Sequence, residues 1–153
     1  MEIITKYVEV HIFRQIKGRL EFLLLKRSEN EIYGGLWQMV TGKIKKGEKA
    51  FESALREIKE ETSLIPIKLW TAPNINSFYS SEEDRIILLP VFAANVNEDS
   101  KVIISKEHTE FKWSSSDNAI KLLAWPGQRK SVEIIENFIF KESNYLNFIE
   151  IKL

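Results

Sequence analysis

The sequence contains no cysteine. Disulfides, thiolate metal sites and cysteine nucleophiles are therefore excluded, and a reducing cytoplasm is the expected setting. Net charge is absent too, because 22 basic residues balance 22 acidic ones. No overall field draws the chain toward nucleic acid or an anionic membrane, so neither is expected as a partner. No apolar run approaches the roughly 20 residues that a membrane-spanning helix needs. The opening stretch, MEIITKYVEVHIF, carries charge within its apolar part and alternates like a strand, unlike a signal peptide. There is no internal repeat, no low-complexity segment and no linker.

What is present fits one compact domain spanning residues 1–153, with 44% hydrophobic and 29% charged residues. KYVEVHIF alternates as a strand, and a turn at Lys17-Gly18 leads to a second strand from Leu20 to about Arg27. Its unbroken Phe22-Leu23-Leu24-Leu25 run predicts a strand covered on both faces. SENEIYGGLW is a polar loop, and WQMVTG is a short strand delivering the chain to Gly42. Lys49 to Thr62 is the clearest helix. IPIKLWTA, INSFYS and IILLPVFAANV read as strands, and Pro90 predicts an edge or a bulge in the last of these. FKWSS is a short strand, and SSDNAIKLLA opens with cap-type residues and reads as helix. A break at Trp125-Pro126-Gly127 precedes a further helix over QRKSVEIIENFIF. The closing YLNFIEIKL reads equally as strand or tail. This order predicts an α/β fold, a mixed sheet with helices packed on its faces.

The helix carries the chemistry. At about 100° per residue, Ala50, Phe51, Ala54, Leu55 and Ile58 form one apolar face, and Lys49, Glu52, Arg56 and Lys59 fall mostly on the wet side. Glu57, Glu60 and Glu61 form a third stripe at i, i+3 and i+4, with small Ser53 one turn earlier. Like charges at that spacing cost only about 0.2–0.5 kcal/mol per pair. An isolated EIKEE is ordinarily a solvated acidic face. The other reading is a divalent cation, because three carboxylates on one turn are hard oxygen ligands suited to magnesium or manganese.

The surrounding residues bear on that choice. Gly42, Glu48, Arg56, Glu57, Glu60, Glu61 and Leu64 stand in the spacing G-x5-E-x7-R-E-I-x-E-E-x-S-L. This resembles the signature of the Nudix hydrolases, which ends in E-E-x-G-U, where U is a bulky aliphatic residue. Six such polar or glycine positions coincide by chance on the order of once in ten million start points. Ser63 departs from the pattern, since glycine there would end the helix in a left-handed conformation. The resemblance implies an α/β/α sandwich around a mixed sheet. It also implies hydrolysis of a nucleoside diphosphate linked to another group, with Mg²⁺ (or Mn²⁺ in its place) bridging the diphosphate. Carried over by position, Glu57 and Glu61 are implied metal ligands, Glu60 a third, and the Gly42 carbonyl a fourth donor. Glu48 and Arg56 pair with each other, orient the ligands, or take part in the chemistry.

Two further segments resemble one branch of that family. Trp37 to Gly42 reads W-Q-x-V-T-G, Glu107 to Trp113 reads E-H-x-x-F-K-W, and Trp125 to Arg129 reads W-x-x-x-R. These are similar to bacterial dihydroneopterin triphosphate pyrophosphatases, which also act on deoxynucleoside triphosphates and tend to lack the signature glycine. The implied partner is a small nucleoside or pterin triphosphate. Dinucleoside polyphosphate hydrolases, which also carry W-Q before the signature, are the alternative, followed by a non-catalytic nucleotide-binding module. On this resemblance Glu107 is a metal ligand or the general base, against a plain loop acid. His108 is read as structural. Arg27 and Arg129 are either phosphate contacts or surface arginines. Trp37 and Phe78 either stack on a flat ring or pack in the core.

Overall fold

The computed structural model describes all 153 residues. The chain runs β1 (Glu2–Thr5), β2 (Tyr7–Ile16), β3 (Arg19–Arg27), β4 (Trp37–Gln38), β5 (Val40–Lys43), α1 (Ala50–Thr62), β6 (Lys68–Ser80), β7 (Arg85–Asn95) and β8 (His108–Ser114). It closes with α2 (Ser116–Leu122), α3 (Pro126–Lys141), a 3₁₀ turn at Ser143–Tyr145, α4 (Leu146–Ile149) and β9 (Glu150–Ile151). The sheet order is β4-β3-β2-β7-β6-β9, with β1 beside β7, β5 beside β2 and β8 beside β3. β7 runs parallel to β1 and β2 while β2 runs antiparallel to β3 and β5, so the sheet is mixed as expected.

Side-chain alternation divides the core into two layers. Val8, Val10, Ile12, Leu23 and Leu25 pack with Ala54 and Ile58 of α1 on one face. Phe13, Phe22, Leu24 and Met39 pack with Ala119 of α2 and with Val132 and Ile135 of α3 on the other. The apolar run in β3 is therefore buried on both faces. The β2–β3 turn places Lys17 and Gly18 at φ 51° and 74°, the paired left-handed conformation that suits a two-residue hairpin.

Three segments differ from the sequence expectation or refine it. IPIKLWTA and INSFYS are two halves of β6, joined across a register shift between Thr71 and Ile75. Pro90 pairs with Ile75 beside that irregularity. On its other side it falls between the pairing of β1, which ends at Leu88, and that of β2, which starts at Val91. β7 is thus an interior strand, and the proline is tolerated because neither ladder is regular at its position. The C-terminal stretch is neither all strand nor tail: α4 folds back and β9 pairs with Leu69 and Trp70 at the start of β6.

The alternation in YVEVHIF also has an unexpected consequence. Glu9 and His11 do not face water, because α3 covers that side, and each is 1% exposed. The Ser131 hydroxyl and the Asn76 amide donate to the Glu9 carboxylate at 3.1 and 3.3 Å, and His11 Nε2 lies 3.4 Å from it.

Candidate active site

The site grows from the junction of β5 and α1. Gly42 sits in β5 opposite Val8 of β2. A Cβ at this position would overlap the Glu57 side chain, so the absent side chain is what lets Glu57 lie against the strand. The loop after β5 turns through Gly47 at φ 81°, and the Glu48 carboxylate accepts from the Lys45 amide at 3.0 Å. The Glu52 carboxylate accepts from the Lys49 amide at 2.8 Å and fixes the start of α1.

Arg56 is not on a wet face. Its guanidinium folds back over the helix start and donates to Glu48 Oε1 at 2.7 Å, Glu57 Oε1 at 2.7 Å, Glu60 Oε2 at 3.2 Å and the Lys43 carbonyl at 2.9 Å. The long side chain carries the charge around the helix, so the wheel position of its Cα misled. The guanidinium holds the Glu48 carboxyl below the usual carboxylate range. It also answers the repulsion between Glu57 and Glu60. The Glu57 pKa is nevertheless raised, first because of burial, with Glu60 and Glu107 adding to the effect.

Glu61 lies deeper. It is 3% exposed, and its Oε2 is buried without a hydrogen-bond partner. Burial, and then the charges of Glu57 and Glu107, push its pKa up to about 9. The carboxyl is therefore protonated at neutral pH until a cation compensates it.

Glu107 reaches this group through backbone pairing rather than helical spacing. The loop after β7 is pinned to the end of α1, where the Ile103 amide donates to the Thr62 carbonyl at 2.9 Å and the Ser105 amide to the Glu61 carbonyl at 3.2 Å. The Ser28 amide then donates to the Glu107 carbonyl at 2.9 Å, tying the loop to the end of β3. Glu61, Glu107 and His108 each offer a ligand atom within 4.8 Å of the others. His108, structural on the sequence reading, lies in this group. It is 4% exposed and both of its ring nitrogens lack a partner. Burial, then the nearby Arg27 charge, lowers its pKa to about 4, leaving the ring neutral at physiological pH. The adjacent Glu in E-H was the available signal, but only the fold sets the ring inward.

The other residues named from sequence are placed as follows. Arg27 ends β3 beside this cluster, where its charge acts on Glu61 and His108 while Nε donates to the Ile32 carbonyl at 2.9 Å. Trp37 packs against the α3-side core, and the Lys112 ammonium lies 5.0 Å from its ring centre. Arg129 donates to the carbonyls of Leu123 and Ala124 at 3.0 and 2.8 Å, closing the end of α2. Phe78 lies on β6 and is 48% exposed. Glu110 pairs with the Lys26 ammonium at 3.2 Å.

The carboxylates of Glu57, Glu61 and Glu107, with Glu60 at the rim, offer the hard oxygen donors that divalent cations take. The unpartnered, buried oxygen of Glu61 fits such an ion.

The chain is similar to several known proteins. An asymmetrical bis(5'-nucleosyl)-tetraphosphatase of Caenorhabditis elegans is 28% identical over 121 residues, covering 78% of this chain and 85% of that protein. An octanoyltransferase of Myxococcus xanthus is 30% identical over 122 residues, covering 77% of this chain, but the match spans only 34% of that longer protein. The solved dihydroneopterin triphosphate pyrophosphohydrolase of E. coli shares the fold at TM-score 0.68 and 23% identity, over 87% of this chain and 99% of that one. Residues 6–138 match the NUDIX domain, and the chain belongs to the Nudix family.

Proposed function

We propose that this protein is a divalent-metal-dependent pyrophosphohydrolase that cleaves a nucleoside or pterin triphosphate to monophosphate and pyrophosphate. The observation that carries the proposal is the buried, cation-compensable Glu61, set among Glu57 and Glu107. Glu57, Glu61 and Glu107 would hold the ion, with Glu60 and the Gly42 carbonyl as further donors. A bound Mg²⁺ would neutralise charge on the phosphate oxygens and supply an activated water. Arg56 fixes the Glu57 and Glu60 carboxylates through charge-assisted hydrogen bonds. Arg27, beside the cluster, would meet a phosphate.

The triphosphate reading is supported by W-Q-x-V-T-G, E-H-x-x-F-K-W and the W-x-x-x-R opening of α3. A second reading, hydrolysis of an asymmetrically cleaved dinucleoside tetraphosphate, is supported by the worm relative, most of whose length aligns. Product analysis across a substrate panel in Mg²⁺ separates the two. Pyrophosphate plus monophosphate is the expected outcome. Inorganic phosphate as sole product, or full activity in excess chelator, sinks the proposal. Preferential release of mononucleotide from a dinucleoside tetraphosphate selects the second reading.

A further inference from the structure

Resting on the reading that a cation binds here, we infer that His108 is a nitrogen ligand completing a cation position with Glu61 and Glu107. That position therefore takes Mn²⁺ or Co²⁺ in preference to Mg²⁺. Three observations carry the inference.

The first is the cost of the ring as it stands. His108 opens β8 with its side chain 4% exposed and with neither nitrogen hydrogen-bonded. A buried polar group left without a partner costs about 1–3 kcal/mol. Imidazole offers no packing advantage over leucine or phenylalanine that would offset this.

The second is the company it keeps. Glu61 Oε2 is buried and equally without a partner. Neither ring nitrogen of His108 is hydrogen-bonded to Glu61, although the two side chains face one gap. An ion placed in that gap would bond to the unpartnered atoms on both sides of it.

The third is the span. The three ligand atoms lie within 4.8 Å of one another. Atoms bound at about 2.1 Å on opposite sides of an ion are about 4.2 Å apart, so side-chain adjustment of roughly an ångström closes the site. The donor set decides which ion is preferred. Mg²⁺ takes oxygen ligands and dehydrates reluctantly, whereas imidazole suits first-row transition ions.

The test is pulsed EPR on the metal-stripped full chain loaded with Mn²⁺ in a nitrogen-free buffer. Directly bound imidazole nitrogen modulates the spin echo. The chain has two histidines, and His11 lies across the sheet in the Glu9 cluster. The expected result is nitrogen modulation in the wild type, retained in His11→Asn and lost in His108→Gln. In a parallel titration His108→Gln should lose at least about tenfold in Mn²⁺ affinity and less than about twofold in Mg²⁺ affinity. Mn²⁺ bound with no nitrogen modulation overturns this inference and leaves the carboxylate site standing. Modulation that disappears in His11→Asn but not in His108→Gln overturns it too. Absence of any Mn²⁺ or Mg²⁺ binding overturns both this inference and the metal-dependent function. If His108→Gln does not fold, the wild-type and His11→Asn spectra decide alone.

Discussion

Glu57 and Glu61 share a helix but not an environment. Arg56 holds Glu57 at 2.7 Å, whereas Glu61 has no counter-ion within bonding distance and stays protonated near neutrality. Glu57→Gln and Glu61→Gln should each lower kcat by at least about a hundredfold, equivalent to roughly 2.7 kcal/mol of lost barrier lowering. Both variants should stay folded: Glu61→Gln exchanges a neutral carboxyl for an amide of the same shape, and Glu57→Gln removes a charge repelled by Glu60. Steady-state kinetics beside a thermal melt measures this, and full activity in either variant would refute its assignment as a ligand. Glu107→Gln should cut kcat strongly with little change in KM, as expected for an interaction made chiefly in the transition state. Glu110→Gln serves as the control, since Glu110 faces Lys26 instead; equal small effects at both positions would make Glu107 a plain loop acid. Gly42 acts by what it lacks. Gly42→Ala should displace Glu57 from β5, lowering kcat and metal affinity together while the far-UV spectrum stays native.

At the scale of elements, α1 was the most legible part of the chain. Its apolar spacing, its acids and its end at Thr62 are all local features, and the helix observed is Ala50–Thr62. The site's other half was not legible in this way. Glu107 and His108 are brought in by loop-to-helix and loop-to-strand hydrogen bonds from Ser28, Ile103 and Ser105, and no periodicity encodes such bonds. Arg56 misled for a related reason: side-chain reach overrides the wheel position of its Cα, and brings it to the Glu48 partner that the signature implies. Ser63 offers a test at this scale. It adopts φ 63°, ψ 11°, the left-handed conformation, and its amide caps the helix through the Lys59 carbonyl. The cap therefore forms without glycine, at a conformational cost of about 1–2 kcal/mol for an L-residue. Glycine relieves that strain but loses more entropy on folding, about 0.5–1 kcal/mol. Ser63→Gly should raise stability by about 0.5–1 kcal/mol, read as a higher urea midpoint at unchanged m-value. An unchanged or lower midpoint would mean that the hydroxyl's 3.5 Å contact to the Ile103 carbonyl outweighs the strain.

At the scale of the whole molecule, the buried acid couples folding to pH and to metal. The Glu61 pKa rises from 4.5 unfolded to about 9 folded. Between those values the native state holds a proton that the unfolded state has released, so metal-free stability falls as pH rises. His108 has the opposite sign. Its pKa falls from 6.5 unfolded to about 4 folded, so it favours the native state increasingly as pH rises to 6.5 and adds no slope beyond. The two slopes oppose each other from about pH 4.5 to 6.5, and from 6.5 to about 9 that of Glu61 acts alone. Chelator-treated protein should therefore lose stability across the upper window, by up to about 1.4 kcal/mol per pH unit, and Glu61→Gln should flatten that fall. Saturating Mg²⁺ or Mn²⁺ should abolish the slope, because the ion binds the ionised carboxylate, so that folding no longer takes up a proton, and stabilises the fold by mass action. Calorimetric titration of metal at pH 7.5 in buffers of different ionisation enthalpy should then show about one proton released per bound ion. A flat or rising metal-free profile above pH 6.5, together with no proton release, would mean that Glu61 is ionised in the free protein and that its burial is relieved without a cation.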